Sequence, residues 1–515
     1  MNQTNNKRRI DLLNGIFVLA TAAGIVTGIR ILLAGRSLWL DEAWLAEGIV
    51  TRDLLHLLSS SLPNIQSAPG GYLMVVKLLT LLLGESENVL RLYSLFSFLL
   101  CLPLLFGIGN AMGLKYPLFP VAFFSNTVYL LRYSNECKQY MSEALWCLLI
   151  FYLYLRWSKK HPDDTKQLYL LTGVMCLSLL MANPAIFVIG AIMAYEFFRN
   201  IFLKRFANAV CIGIHSLCIL AVFGLYYYLW LRLCNVTRMQ DSWQLQDAFF
   251  SLNLASLQRL YWIWDRIRRP IPQQAVRYAV DVLLLCVLGY GILRGMKEKK
   301  APVWLILLTV GYALLASALR FFPTTERVWL FLYPFMMLLL GWGLECVLMK
   351  FSFAHRMRSI LLVGMLLLAG GSAYYLDAEK MYYATDDANP LIAYVDSHIR
   401  QGEYLYLYKF SIPVFKYKQG YACTRIGETP ANDNILWGTS LTQLDTTPPL
   451  TAKEVAADLA AVRSHTPCYI IGTHFGFLDE SIDGYVLLMK ELEKTGSLSL
   501  VAESHGTYLY LYDEP

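Results

Sequence analysis

Long apolar stretches separated by short charged connections fill the first 376 residues, and they restrict the fold more than any other feature. A helix needs about 20 apolar residues to cross the roughly 30 Å hydrocarbon core of a bilayer. Of the 515 residues 56% are hydrophobic and only 16% charged, whereas about 25% of an ordinary soluble domain is charged. The sequence therefore predicts a mainly α, polytopic bundle of about eleven spans, near residues 11–33, 88–112, 116–132, 140–157, 167–182, 184–199, 207–233, 277–294, 301–320, 327–348 and 358–376.

Basic residues mark one side of this bundle. They fall in alternate connections, all on the side of the N-terminus: Lys7-Arg8-Arg9, Arg156 with Lys159-Lys160, Lys204-Arg205, Lys297 with Lys299-Lys300, and Arg356 with Arg358. Because short basic loops stay in the cytoplasm, the N-terminus is predicted to be cytoplasmic and the C-terminal tail extracytoplasmic. Gly71–Gly84 is shorter and would break this pattern by crossing, so it is predicted to pack at the outer surface. The net charge of +6 is thus a topology signal and predicts no nucleic-acid partner.

From about Asp377 the composition becomes that of a soluble domain. Alternating runs at 404–408, 468–471 and 507–511 predict strands, and helical patterns lie near 389–400, 451–464 and 482–495. The chain is therefore predicted to consist of a membrane domain, 1–376, with outer-surface helices in the connections 34–87 and 234–276, and an extracytoplasmic α/β domain, 377–515. This second domain has no phosphate loop and no nucleophile elbow, so no chemistry is assigned to it. Cys423 and Cys468 can pair only if that compartment is oxidising.

The first outer connection carries an acidic pair, Asp41-Glu42, between Trp39 and Trp44. The residues that follow keep an apolar face at helical spacing, which predicts that Asp41 stands at the start of a surface helix. Adjacent helix positions point about 100° apart, so one carboxylate can act as a base while the other orients or pairs. Alternatively, both only complement the helix N-terminus, an effect of about 0.3–1 kcal/mol.

Four segments in order resemble motifs of the GT-C glycosyltransferases, in the branch of bacterial protein O-mannosyltransferase-like enzymes and the lipid A aminoarabinose transferase. The acidic pair lies in Ser-Leu-Trp-Leu-Asp-Glu-Ala-Trp at 37–44, and the other segments are Ser-Ala-Pro-Gly-Gly-Tyr-Leu at 67–73, Gly-Glu-Ser-Glu-Asn-Val-Leu-Arg-Leu-Tyr-Ser at 84–94 and Tyr-Ser-Asn-Glu-Cys-Lys-Gln-Tyr at 133–140. A further family pattern, late in the membrane region, resembles the positions of Pro323, Arg327 and Pro334. The segments depart from the family at Ala68, Tyr93 and Lys138, and the later spans resemble it only in layout.

This resemblance implies an integral protein of a bacterial cell membrane that transfers a sugar, with inversion, from a polyprenyl-phosphate donor to an extracytoplasmic acceptor. Such a reaction needs a base near the acceptor hydroxyl and cations near the departing phosphate. Asp41 is the expected base and Glu42 its supporting carboxylate. The expected phosphate ligands are Arg327, Arg132 and Lys138, with Glu136, Tyr72 and Glu326 in supporting roles. No metal is expected to be required, and the sequence does not decide whether a divalent ion takes part. Nor does it decide whether the acceptor is a glycan, a lipid or a protein.

Each assignment has a simpler alternative. Arg132 and Glu136 can form a structural ion pair at helical spacing, and Arg327 can pair with its neighbour Glu326 or extend to the membrane interface. The whole chain can instead be a transporter or a flippase for a lipid carrier. A transporter would place ionisable residues in the middle of its spans, whereas the charges of interest here lie at the predicted outer ends.

Overall fold

The structure is a computed structural model, and it describes residues 2–62, 66–160, 165–233, 236–251, 256–261, 274–350, 360, 363–364, 387–399, 403–408, 410–415, 417–418, 435–438, 455–473 and 484–514. Helices dominate up to residue 350. They are α1 Asn2–Leu33, α2 Leu40–Thr51, α3 Leu54–Ser59, α4 Gly70–Leu83, α5 Glu87–Met112, α6 Leu118–Ser125, α7 Val128–Tyr133, α8 Tyr140–Lys160, α9 Thr165–Met181, α10 Ala185–Phe202, α11 Phe206–Leu229, α12 Val236–Leu245, α13 Gln274–Lys297, α14 Ala301–Ala318 and α15 Tyr333–Lys350.

Six stretches of helix in the described part of the chain are long and apolar enough to cross a bilayer, which confirms a polytopic helical bundle. They lie at Leu12–Leu33, Glu87–Met112, Ala185–Phe202, Phe206–Leu233, Ala301–Ala318 and Leu330–Lys350. Helices α8 and α13 have 21 and 24 residues and reach a similar length. The last predicted span, 358–376, lies almost wholly outside the described residues, as does Cys423.

The segment predicted as a span at 116–132 is not one continuous helix, because two short helices, α6 and α7, replace it. Asn126 and Thr127 lie at the break, where the Asn126 amide donates to the carbonyls of Ala20 (2.9 Å) and Ala122 (2.8 Å). The backbone of α1 approaches closely here, since a Cβ on Gly24 would lie 2.2 Å from the Ser125 carbonyl oxygen. The Asn126 amide thus satisfies the Ala122 carbonyl, which a continuous helix would have paired internally, and it also joins the break to α1.

Both ends of α4 lie at the same end of the bundle. Its first turn meets the end of α9, where a Cβ on Gly71 would lie 2.8 Å from the Leu180 carbonyl oxygen. Its last residue is followed after three residues by the start of α5. The start of α8 is also here, since the Asn183 N–H after α9 donates to Glu143 (3.2 Å). Helix α4 therefore does not traverse the bundle, and we call this end, which also carries α2, the site end.

After residue 386 the structure contains a small five-stranded sheet with helices. The strands are β1 Tyr404–Leu407, β2 Ile435–Trp437, β3 Cys468–Thr473, β4 Ser497–Ser504 and β5 Thr507–Asp513, and the helices are α16 Asn389–His398, α17 Ala456–Arg463 and α18 Gly484–Leu492. The sheet order is β2-β1-β3-β5-β4, with β1 parallel to β2 and β3, and β5 antiparallel to both of its neighbours. The predicted strands and helices of this C-terminal region are confirmed, and β2 and β4 are additional.

The two faces of the sheet bury different clusters. One face packs on α17 and α18, and Tyr406 there donates to Asp458 (2.7 Å). The other face, with Leu405, Leu407 and Leu509, belongs to the same apolar cluster as residues of α2, α4, α5 and α16. The C-terminal region therefore shares a core with the site end of the bundle.

Candidate functional site

The acidic pair opens α2, which begins at Leu40, as the sequence predicted. Trp39 is the N-cap residue, and its N–H donates to Glu42 at 3.4 Å. Asp41 and Glu42 point to different partners, Arg327 and Arg91 respectively. Their divergence follows from the 100° step between adjacent helix positions, and it gives the two carboxylates separate environments.

Asp41 pairs with Arg327 across 286 residues of sequence. Arg327 lies in the connection between α14 and α15, and its guanidinium also stands 5.5 Å from the centre of the Trp243 ring of α12. The side chains of Asp41 and Arg327 keep 16% and 26% of their surface exposed, so this pair stays accessible from the site end. Arg327 therefore pairs with Asp41, whose side chain lies 286 residues away in sequence, and not only with residues of its own connection.

Lys138 joins this pair through Gln66. The Lys138 ammonium donates to the Gln66 side-chain oxygen at 2.5 Å, and the Gln66 side chain is also hydrogen-bonded to Asp41. Burial raises the pKa of Asp41, but Arg327 and Lys138 outweigh burial, so the pKa of this carboxyl lies below its ordinary value. Burial and Arg327 lower the pKa of Lys138, although Asp41 opposes them. One carboxylate thus faces two cations, an arrangement suited to acid–base chemistry beside an anion.

Glu42 is committed to a buried ion pair with Arg91 of α5. Two hydrogen bonds join them, at 2.9 and 2.8 Å, and Glu42 also accepts from the Cys137 N–H at 2.6 Å. Two further Arg91 N–H groups donate to the carbonyls of Arg36 (2.7 Å) and Ser37 (3.0 Å). Both side chains are 1% exposed or less, so Glu42 ties the connection before α2 to α5 and to the segment after α7.

The remaining predicted residues lie beside this centre. Arg132 pairs with Glu136 at 2.8 Å, as in the simpler alternative, and its side chain is 42% exposed while that of Glu136 is buried. Ser94 of α5 donates to the backbone carbonyl of Glu136 at 2.7 Å. Tyr72 of α4 is buried with its hydroxyl 4.0 Å from the sulfur of Cys137. The structure thus gathers Asp41, Arg327 and Lys138, and it places the other predicted residues around them.

Two residues of this site were not among the site residues predicted from the sequence. Gln66 bridges Lys138 and Asp41, and nothing in its local sequence distinguishes it from other loop glutamines. Arg91 stands in the segment 84–94 that resembles the family, so this motif could have marked Arg91 as a functional residue. The motif gave no indication that its partner is Glu42. Among the described residues no group of three or more His, Cys, Asp and Glu side chains is arranged to hold a metal ion.

Comparisons with known proteins rest on structure alone. No protein-family model matches the sequence, and no curated protein matches it. Among solved structures, ArnT from Cupriavidus metallidurans in the apo state superimposes with a TM-score of 0.56 at 10% identity, over 96% of this chain and 98% of that one. The same protein bound to undecaprenyl phosphate gives a TM-score of 0.53 at 13% identity, again over 96% and 98% of the two chains.

A second neighbour is the Archaeoglobus fulgidus oligosaccharyltransferase, in a complex with Zn and sulfate. Its TM-score is 0.53 at 10% identity, over 96% of this chain and 73% of that one. Both neighbours are GT-C glycosyltransferases, and identities this low establish the architecture only. The chain therefore has the GT-C fold, as the resemblance of its sequence motifs predicted.

Proposed function

We propose that this protein is an inverting glycosyltransferase that moves a sugar from a polyprenyl-phosphate donor to an acceptor at the extracytoplasmic surface of a bacterial cell membrane. The observation that carries the proposal is the carboxylate of Asp41 held against two cations, Arg327 and Lys138, at the site end of a GT-C fold. The neighbour ArnT was crystallised with undecaprenyl phosphate, which supports a donor of this class. The site end is then the extracytoplasmic end, with the N-terminus in the cytoplasm.

In this proposal Asp41 takes the proton of the acceptor hydroxyl while that oxygen attacks the anomeric carbon from the face opposite the phosphate. The bond between the anomeric carbon and the phosphate oxygen breaks, and the phosphate leaves with the electron pair. Arg327 and Lys138 stabilise its growing charge, and the fork of the guanidinium suits a phosphate well. Glu42 has a positioning role through Arg91 and does not contact the substrate.

The ion pair of Asp41 and Arg327 also gives an order to these events. Without donor, the cations hold the pKa of Asp41 low, so the carboxylate is a weak base. A donor phosphate competes for Arg327 and Lys138, which relieves this effect and raises the pKa of Asp41. Donor binding therefore activates the base, and the acceptor is deprotonated only when a donor is present.

Replacing Arg327 by Gln is expected to lower the turnover about 10²-fold, because a preorganised charge on the leaving phosphate is lost. The measurement is release of undecaprenyl phosphate from a sugar-loaded donor by the purified protein, with and without a candidate acceptor. Mass spectrometry of the product identifies the sugar and the acceptor class. The same assay with a chelator tests whether a divalent ion is required, since one neighbour was crystallised with Zn.

The matched control is Arg320→Gln. Arg320 lies at the other end of the same connection, donates to Gln244 at 3.2 Å and is exposed, so its loss should leave turnover unchanged. Equal losses in the two variants would argue against phosphate contact by Arg327. Movement of the intact donor across a vesicle membrane, with no sugar released, would instead identify a transporter or flippase.

The site also predicts a pH dependence. Because the pKa of Lys138 lies below its ordinary value of about 10.4, the ammonium loses its charge earlier as the pH rises, and donor binding weakens. We expect kcat/KM for the donor to fall at alkaline pH, and Lys138→Arg to move this fall to higher pH because arginine stays charged. Lys115→Arg at the opposite end of the bundle serves as the control. An unchanged profile in Lys138→Arg would contradict the assignment.

A further inference from the structure

The segment that leads into α2 is bound directly by the C-terminal region. The Ser37 hydroxyl donates to the Asp387 carboxylate at 2.5 Å and accepts from the Asn389 N–H at 2.9 Å. Asp387 is itself fixed to the β4–β5 hairpin, since its N–H donates to the His505 carbonyl (2.8 Å) and its carbonyl accepts from Thr507 (2.9 Å). Ser37 is therefore connected to the β4–β5 hairpin through Asp387, by one hydrogen bond to Asp387 and two between Asp387 and the hairpin.

The same residue also belongs to the buried network around Glu42. The Ser37 carbonyl accepts from Arg91 at 3.0 Å, and Arg91 holds Glu42, the immediate neighbour of Asp41. Ser37 is 1% exposed, so its hydroxyl has no water to replace a lost partner. A displacement of Asp387 would thus be transmitted through Ser37 to the first turn of α2, where Asp41 stands.

Three further contacts fix the C-terminal region over α2 and the start of α5. Tyr417 donates to the Glu85 carbonyl at 2.5 Å, and Lys418 forms an ion pair with Glu87 at the start of α5. The Trp44 ring of α2 meets the Phe410 ring edge-on, with 6.2 Å between the ring centres. Apolar residues from both sides complete one cluster, and they include Leu45, Ala46, Ile49, Leu391, Ile392 and Phe415.

We propose that the C-terminal region is a positioning element of the active site, and that Ser37 and Asp387 are the positioning residues that set the place of Asp41. This inference rests on the proposed transfer reaction, for which Asp41 must meet the acceptor hydroxyl within hydrogen-bond distance. A misplacement of about 1 Å at such a group can cost up to about 10²-fold in rate. The sequence assigned the C-terminal region no chemistry, and in this view it supplies geometry to chemistry performed by the bundle.

The test combines Ser37→Ala, Asp387→Ala and the double variant in the full-length protein. Each single change should lower kcat about tenfold and leave KM for the donor within about twofold, because Arg327 and Lys138 are not displaced. The double variant should be no slower than Ser37→Ala, since Ser37→Ala already breaks the link to Asp387. Asp387→Asn should keep nearly normal kcat, because its side-chain oxygen still accepts from Ser37.

Glu514→Ala is the matched control. Glu514 pairs with Arg463 on α17, which packs on the face of the sheet away from α2, so kcat should not change. Hydrogen exchange gives a second readout that needs no turnover. The amides of residues 37–42 should exchange about tenfold faster in Asp387→Ala than in the wild type, and Glu514→Ala should leave their exchange unchanged.

The inference is overturned by multiplicative losses in the double variant, by a rise in KM without a fall in kcat, or by unchanged exchange at residues 37–42. A wild-type protein that transfers no sugar would refute the proposed function instead. The exchange measurement would then still decide whether the C-terminal region holds this segment.

Discussion

Replacing Asp41 by Asn should reduce sugar transfer by about 10³-fold or more while leaving the fold intact. Asn has the shape of Asp and its oxygen can still accept from Arg327, but it cannot take a proton from the acceptor. A general base contributes about 10²–10⁴-fold to the reaction rate. Asp41 also faces two cations that have to contact the phosphate of the donor. The measurement is kcat under saturating donor and acceptor, in membranes that contain equal amounts of folded protein.

Glu47→Gln provides the control for the loss of a carboxylate on the same helix, and it should retain wild-type kcat. Binding of undecaprenyl phosphate should survive or strengthen in Asp41→Asn, because Arg327 and Lys138 no longer face a negative charge. If Asp41→Asn instead kept normal turnover, Asp41 would be a counter-ion of Arg327 and the base would have to be sought elsewhere.

The local features of this site could be predicted because they depend on neighbours in sequence. The start of α2 at Leu40 followed from the apolar pattern, and the divergence of Asp41 and Glu42 followed from helix geometry. The end of α9 before Asn183-Pro184 is likewise a local effect, because the residue before proline avoids the helical conformation.

The partners of the charged residues could not be predicted in this way. Arg327 has Glu326 beside it in sequence, yet it pairs with Asp41, and only the folded connection after α14 brings them together. Glu42 was expected to orient Asp41 or to form a pair of its own, and in the structure it pairs with Arg91. Periodicity reports which face a residue occupies, but the contact is decided by how α2 and α5 cross.

The missed elements have physical reasons as well. Strand β2 has only three residues, too few to show an alternation. Strand β4 is partly exposed on both faces, so its polar and apolar residues do not separate cleanly. The break between α6 and α7 depends on a side chain, Asn126, that bonds to a neighbouring helix, and an apolar stretch by itself cannot reveal such a bond.

Arg91→Met should destabilise the protein by about 3–5 kcal/mol, because it leaves Glu42 buried at the start of α2 without its counter-ion. Burial raises the pKa of Glu42, but Arg91 outweighs burial and keeps that pKa below its ordinary value. The ion pair therefore stabilises the fold fully above about pH 4.3, and its contribution is lost as the pH falls further. Thermal unfolding in detergent at neutral pH should show a lower Tm and a poor yield.

Arg199→Met is the comparison, because Arg199 is 40% exposed and its partner Glu196 also accepts from Tyr154 at 2.6 Å, so a smaller loss is expected. The double variant Glu42→Gln with Arg91→Met should regain part of the lost Tm, because no buried charge is left unpaired. Its kcat should nevertheless stay low, since the carbonyls of Arg36 and Ser37 lose their donors and the first turn of α2 is no longer held. Recovery of both Tm and kcat would show that the pair contributes stability alone and that Asp41 is positioned without it.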